Sequence, residues 1–585
     1  VAYISENRTC QNCKQNFVIE PDDFGFYEKI KVPPPTFCPD CRLQRRLAWR
    51  NERGLHGREC GLCKKKIISV YSNESNITVY CDKCWWGDKW EAQDYAMYLD
   101  FSRPFLAQLF ELFRKVPAPN LFAFGTTMVN SQYCNLANDM RNCYLLHDGT
   151  FDENVSYGSG VFHSKDSQDV TMVRKCEVCY ESITCINCYR TIFSEKCEDC
   201  VDVYFSYNLR GCNNCFGCVN LHKQSYCIFN EQYTKEEYEE KLKSFGLDSH
   251  KNILEIKEKA HEFWKKFPKR YYFGVQNVNV SGDYLERSKN AKYCFGAANV
   301  EDSKFCSFCS NGPIKTVYDF THYGDNIELI NEGLQCGDGA ANIRVGWANW
   351  NNSNNNHYSI TVSGASYLFG CIGLKKKQYC ILNKQYTKEE YEELVPKLIK
   401  HMNDMPYVDK NGIKYGYGEF FPIELSPFGY NETTAQEYFF LREEDARKNQ
   451  YRWRLRQRSY DITKNSADLP DSIAEMDDSI LKEVIGCEHE GKCKDDCVTA
   501  FRILPEDLKF YRRMNLPLPR LCPNCRHYAR LKQRNPLKLW HRACMCDKEG
   551  HAHGAGKCEV EFETSYAPER PDIVYCERCY QQEVY

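Results

Sequence analysis

Between Cys134 and Cys227 twelve cysteines follow one another at intervals of 9, 33, 3, 6, 3, 9, 3, 12, 3, 3 and 9 residues. Every interval is a multiple of three, which unconstrained spacing would satisfy only about one time in three at each step. The spacing predicts a β-solenoid: coils built on a short repeated side return the same register to the interior, and neighbouring coils stack their cysteines. Short stretches such as NCYLL, VDVYF, KYCFG and HYSITV, separated by Asn, Asp, Ser and Gly, agree with many short strands and tight turns. Cysteine is small and buries readily, so core packing is the first reading of these thiols. Further zinc, or an iron-sulfur cluster on Cys212-x2-Cys215-x2-Cys218, stays open beside it.

The solenoid pattern occurs twice. FGCVNLHKQSYCIFNEQYTKEEYEE from Phe216 returns as FGCIGLKKKQYCILNKQYTKEEYEE from Phe369, 153 residues on. Each copy closes on a Thr-x-x-Glu capping box, Thr234 with Glu237 and Thr387 with Glu390, which predicts a helix after each.

A second duplication joins the two ends. At an offset of 484, Cys38, Cys41, Arg42, Arg46, Arg50 and Cys60 fall on Cys522, Cys525, Arg526, Arg530, Arg534 and Cys544. After an insertion of eleven residues the match resumes at 495, with Cys63, Cys81 and Cys84 on Cys558, Cys576 and Cys579. Cys60-x2-Cys63-x17-Cys81-x2-Cys84 is the strongest single motif, since two CxxC turns can present four thiolates to one tetrahedral zinc ion. The seventeen residues between its pairs read as two strands around a polar Ser-Asn turn. Cys10 and Cys13 with Cys38 and Cys41 give a second site. In the carboxy-terminal pair Cys497 takes the place of Cys13, with Cys493 as its partner and Cys487 as competitor. Cys522 and Cys525 complete that site, and Cys544, Cys558, Cys576 and Cys579 form the other. Cys546, His551 and His553 in the insertion compete as ligands, the histidines reading as a solvated loop. About four zinc ions are expected, all in closed thiolate sites that serve folding rather than catalysis.

The fold class that follows is mainly β and multidomain: treble-clef-like finger pairs at both ends flank two β-solenoid repeats with helical spacers. The map runs as tandem fingers 1–95, helical connector 96–118, solenoid 119–232, helical spacer 233–268, solenoid 269–385, helix and linker 386–484, and tandem fingers 485–585. The start VAYISENRTC has no apolar signal region, and no apolar run is long enough for a membrane span. The expectation is a soluble cytoplasmic protein with reduced thiols and no membrane partner.

Net charge is only -3, but basic residues cluster. Arg42, Arg46 and Arg50, and their copies Arg526, Arg530 and Arg534, recur every four residues along a helix opened by a CPxCR turn. RKNQYRWRLRQR from Arg447 adds a third cluster. Arginine rows on a metal-clamped helix suit phosphate, so nucleic acid or a ribonucleoprotein such as the ribosome is the leading partner. The competing reading pairs these arginines with carboxylates elsewhere in the chain, leaving a protein-interaction scaffold that binds through the solenoid faces. An enzyme or iron-sulfur protein using the solenoid cysteines is the second alternative, although no Ser-His-Asp order, phosphate loop or HExxH supports catalysis.

Through CPDCRLQRRLAWRNER, YCDKCWWGDKW, the QYTKEEYEE segments and PLPRLCPNCRHYARLKQRNPLKLWHRACMC, most of the chain resembles uncharacterised zinc-binding proteins of small-genome candidate-phylum bacteria. The spacing from Cys60 to Cys84 is also similar to that of GATA-type treble-clef fingers. The resemblance implies zinc binding in a bacterial protein and no particular activity.

Overall fold

The computed structural model describes residues 3–585 apart from 124, 310–311, 349–350, 456–459 and 552. The chain is strand-rich and divides its strands among many small sheets. Among the described residues no helix is long and apolar enough to cross a membrane.

After a first step of fourteen residues, from Ala123 to Ala137, short parallel strands stack in the first repeat at a rise of twelve residues. Asn135 pairs with His147, His147 with Ser159, and Thr171 with Ser159. A second face pairs Tyr189 with Val201, Val201 with Asn213, and Asn213 with Ser225. Every third residue points inward, so Cys176, Cys179, Cys185, Cys188, Cys197 and Cys200 share one core with Val161, Val173 and Val203. The residue before nearly every inward position takes a left-handed backbone conformation, as at Asp139, Asn142, Asp148 and Asn154. Asn and Asp tolerate that conformation best, which explains their recurrence. It bends the chain every three residues and brings the next side chain back to the interior.

Inside this core the thiols act as packing groups with a weak donor. Cys188 Sγ lies 3.2 Å from the Ile186 carbonyl and 3.4 Å from the Cys197 carbonyl one turn on. Cys143 makes the same pair of contacts to Arg141 and Asp152. Burial pushes the Cys134 thiol up to about 12 and Cys143 to about 11, which favours the protonated form.

Asp152 is an acidic exception at an inward position. One carboxylate oxygen accepts from Ser164 N at 2.7 Å, and the other is buried with no partner among the described residues. Burial raises its pKa to about 8. The folded chain therefore holds a proton that the unfolded chain gives up near pH 4. This group's stabilisation is complete below about pH 4 and is lost as pH rises through about 8. Asp152→Asn keeps the acceptor and removes the charge. It should raise stability at pH 8 by about 1 kcal/mol or more, with the advantage shrinking toward pH 4. Thermal melts of both chains across that range check this, and a pH-independent gap would contradict it.

In the second repeat the rise varies. Gly282 pairs with Cys294 twelve residues on, Val300 with Ile314 at fourteen, Ile314 with Ile327 at thirteen and Ser366 with Gln378 at twelve. Its core is filled more by aliphatic and aromatic residues such as Ile314, Val317, Phe320, Ile330 and Ile343. Cysteine-for-aliphatic exchange between the copies is what packing allows. Helices Lys235–Ser244 and Lys388–Asp404 follow the two repeats, each with its Thr/Glu capping box formed.

The end units cross over. The amino-terminal unit packs on the second repeat, where Phe26 stacks on Tyr318 at 3.9 Å and Lys304 pairs with Asp23 at 2.6 Å. The carboxy-terminal unit packs on the first repeat, where Tyr511 meets Tyr180 at 5.7 Å and Tyr157 donates to Asp507 at 2.7 Å. The first finger of each end unit thus covers the repeat farther from it along the chain, while other parts of each unit touch the nearer one, as Arg50 does at Asp148 and Asn535 at Asp283.

Candidate metal centres

Each amino-terminal quartet is built from one tight CxxC-type turn and one helix start; at the other end the first pair is widened to Cys487 with Cys497 and Cys544 with Cys558. Strands Glu6–Thr9 and Asn16–Ile19 pair antiparallel around Cys10 and Cys13, and Cys38 is the N-cap of helix Pro39–Leu47, which carries Cys41 on its first turn. Strands His56–Glu59 and Lys66–Ser69 pair around Cys60 and Cys63, and Cys81 caps helix Asp82–Trp85. The expected hairpin within the seventeen-residue excursion is corrected here. Lys66–Ser69 pairs backward across the cysteine turn, and Val79–Tyr80 pairs with Ala118–Pro119 instead. The CGLC turn itself reverses the chain, with Lys64 in the left-handed region, so the flanking strands are the ones brought together.

The same plan recurs at the other end, where Cys522 caps helix Pro523–Leu531 and Cys576 caps helix Glu577–Val584. Placing a sulfur at the helix start aims backbone N–H groups and the positive end of the dipole at it. Cys81 N lies 3.3 Å from Cys60 Sγ, Cys522 N 3.2 Å from Cys487 Sγ, and Cys576 N 3.2 Å from Cys544 Sγ. Burial opposes ionisation of Cys60, but backbone N–H groups of Cys63, Cys81 and Leu62 hold it down to about 6.

Four groups bring their sulfurs within 4.8 Å of one another: Cys10, Cys13, Cys38, Cys41; Cys60, Cys63, Cys81, Cys84; Cys487, Cys497, Cys522, Cys525; and Cys544, Cys558, Cys576, Cys579. Sulfur separations are 3.6 Å for Cys13–Cys38, 3.8 Å for Cys63–Cys81 and 3.9 Å for Cys558–Cys576. A tetrahedral ion held by thiolates at about 2.3 Å has S···S edges of about 3.8 Å, whereas a disulfide would need about 2.05 Å. All 36 cysteines are free thiols. These quartets could therefore each hold a thiophilic metal ion, with every coordination position taken by protein.

Two ligand expectations change in the carboxy-terminal unit. Cys487 takes the place that spacing gave to Cys493, because its sulfur, following strand Ile485–Gly486, accepts from Cys522 N as Cys60 does from Cys81. Cys493 lies 3.7 Å from Cys525 as a fifth thiol. His551 and His553, read as a solvated loop, instead turn inward with Cys546 and Cys579 to form a fifth group that could hold a metal.

The arginine rows are also corrected. Arg42, Arg46, Arg526 and Arg530 are 2%, 0%, 6% and 1% exposed, so no phosphate backbone reaches them. Arg42 and Arg46 both donate to Asp319, at 2.9 and 3.1 Å, and Arg46 also to Thr321. Arg526 and Arg530 repeat this on Asp169, at 3.0 and 2.8 Å, with Thr171. Arg50 is buried against Glu52 and Asp148, and Arg534 lies over the Tyr284 ring at 4.7 Å. These helices face the stacked turns because their arginines are the polar half of the docking interface. In the third cluster Arg447 pairs with Glu443 and Arg454 with Glu432, while residues 456–458 lie outside the described residues. Trp49 is fully buried, packed at 5.1 to 5.3 Å against Phe110, Trp347 and Phe421.

Asp169 and Asp319, which carry the interface, are not among the residues that sequence reasoning singles out. Their signal is Asp-x-Thr at matching places in the repeats, Asp169-Val170-Thr171 and Asp319-Phe320-Thr321. Comparison of the chain with family models finds no match, and comparison with curated proteins finds none either.

Proposed function

We propose that this chain is a non-enzymatic zinc protein acting as a protein-interaction scaffold, with two β-solenoid repeats as its binding faces and four closed zinc quartets as structural clamps. The observation that carries this reading is the convergence of two buried arginines on one buried aspartate at each repeat, which commits the basic rows to internal docking. Closed thiolate sites leave no open metal position for substrate. Among the ion pairs and Asn/Asp ladders that line the outside of the stacked turns, such as Arg141 with Glu153 and Asn154 with Asp166, lie exposed aromatic pairs. Tyr293 stacks on Phe305 at 5.6 Å, Tyr367 on Tyr379 at 5.2 Å and Phe151 on His163 at 4.9 Å. Tyr293, Tyr367 and Phe151 are 48%, 39% and 55% exposed, and such residues supply contact area at low entropic cost.

Photo-crosslinking residues placed at Tyr293 and Tyr367 in cells should give discrete protein adducts, and one at Leu254, exposed on helix His250–Trp264, should not. Purified protein should shift neither heterologous RNA nor duplex DNA at two salt concentrations. Salt-sensitive shifts without protein adducts would replace this reading with the nucleic-acid one.

A further inference from the structure

The insertion between Cys544 and Cys558 has no counterpart in the amino-terminal unit, where Cys60 and Cys63 are separated by Gly61 and Leu62 only. At the offset of 484, Cys546 stands where the amino-terminal unit has Leu62, which packs on that unit's small apolar core. The insertion thus replaces an apolar contact by a thiol and adds two imidazoles above it. His551 Nδ1 lies 3.2 Å from Cys546 Sγ, and His553 Nε2 lies 3.4 Å from the same sulfur. Metal–sulfur and metal–nitrogen bonds of about 2.3 and 2.05 Å give a tetrahedral S···N edge of about 3.6 Å, close to both. Cys579 completes this group, and Cys579 is also a corner of the neighbouring quartet.

An independent observation concerns the far side of the ring. His551 Nε2 faces Glu583 at 3.6 Å, and Glu583 lies on helix Glu577–Val584, which also carries Cys579. Glu583 is fixed in turn by Lys548 from the insertion. A carboxylate facing the distal nitrogen of an imidazole is the usual support for a ligating histidine, setting its tautomer and orientation.

We propose that the carboxy-terminal unit holds a dinuclear centre in which the Cys579 thiolate bridges two thiophilic divalent ions. One ion sits on Cys544, Cys558 and Cys576, the other on Cys546, His551 and His553. The proposal rests on the reading of the four-thiol quartets as metal sites and adds an ion to them. Electrostatics favour the arrangement, because a second divalent ion brings in only one new thiolate and so reduces the negative charge gathered at a buried centre. The amino-terminal unit lacks all three added donors and holds no such pair.

Native mass spectrometry of the full-length zinc-loaded chain should count five ions. Loading with cadmium-113 should give five resonances, two of them split by coupling through the shared sulfur. His551→Gln with His553→Gln should lower the count to four and abolish the splitting while the other resonances stay in place. Four ions in the unaltered chain, or five resonances without mutual splitting, would overturn the bridged centre and leave the quartets standing. A count below four would remove the quartet reading together with it. The count and the coupling are read on the unaltered chain, so the test survives a variant that fails to fold.

Discussion

Cys41→Ser should remove one metal ion per chain and dissolve the order of the first fifty or so residues, while the stacked turns of the first repeat keep theirs. Besides the quartet, the segment is held by packing on the rest of the chain, through Phe26 on Tyr318 and Trp49 among Phe110, Trp347 and Phe421, and that packing depends on how the quartet orients it. Helix Pro39–Leu47 has nine residues, PDCRLQRRL, and a helix that short does not persist in water without tertiary support. Its support is the quartet at its N-cap, the arginine contacts to the second repeat and the packing of Leu43 and Leu47 on Ile423, Tyr430 and Ala435, the last two of which need the quartet to orient the helix. Structural metal sites of this kind contribute of order 10 kcal/mol to folding, more than a unit of this size gains from apolar burial alone. Losing the ion also frees Arg42, Arg45 and Arg46 from Asp319, Glu332 and Glu419, leaving two buried carboxylates on the second repeat and one in the segment after it without counter-charge. Because the chain has several packed units, the effect belongs to a region and not to one melting point. Hydrogen exchange should show residues 39–47 exchanging rapidly in the variant, and metal analysis should show one ion fewer. A full complement of metal with helix 39–47 still protected would mean that these thiols hold no ion.

The parts of this architecture that sequence exposes are those set by short-range geometry. A CxxC turn and a CxxC helix start each fix two sulfurs within three residues of one another, so the two amino-terminal quartets can be named from spacing and the Cys544 quartet from the repeat offset. Triplet spacing marks the inward register of the first repeat for the same reason, since one left-handed residue in three returns each next side chain to the interior. Thr234 and Thr387 announce their helices through contacts three residues long. What sequence hides is set over long range. Arg42 and Asp319 are 277 residues apart and Arg526 and Asp169 357, and a row of arginines looks the same whether its partners are phosphates or buried carboxylates. His551 and His553, weighed as competing ligands, lose to a solvated-loop reading because the insertion breaks the offset on which the ligand assignment rests. Spacing prefers Cys493 over Cys487 because loop length tells nothing of which sulfur the backbone aims inward.

Asp169→Asn should destabilise the docking of the carboxy-terminal unit by about 3 to 5 kcal/mol, the usual cost of removing one partner from a buried ion pair. The side chain keeps its shape and loses its charge, and two guanidiniums remain with only neutral acceptors such as Thr171 Oγ1 and the Leu521 and Tyr157 carbonyls. Asp319→Asn should cost less, because Arg46 still has Glu332 at 3.7 Å. The two sites lie in separate clusters without a shared partner, so the double variant should lose close to the sum. Removing the whole buried group tests the cause. Asp169→Leu with Arg526→Met and Arg530→Met exchanges charges for apolar volume, and such replacements are often neutral or stabilising. Denaturant unfolding followed by fluorescence, with proteolysis of residues 485–585 as the local readout, should therefore rank Asp169→Asn least stable of the single changes and return the triple variant to near the unaltered chain. If the triple variant is as weak as Asp169→Asn, shape at this contact and not uncompensated charge holds the unit in place; if Asp169→Asn unfolds like the unaltered chain, the crossed docking does not depend on these pairs.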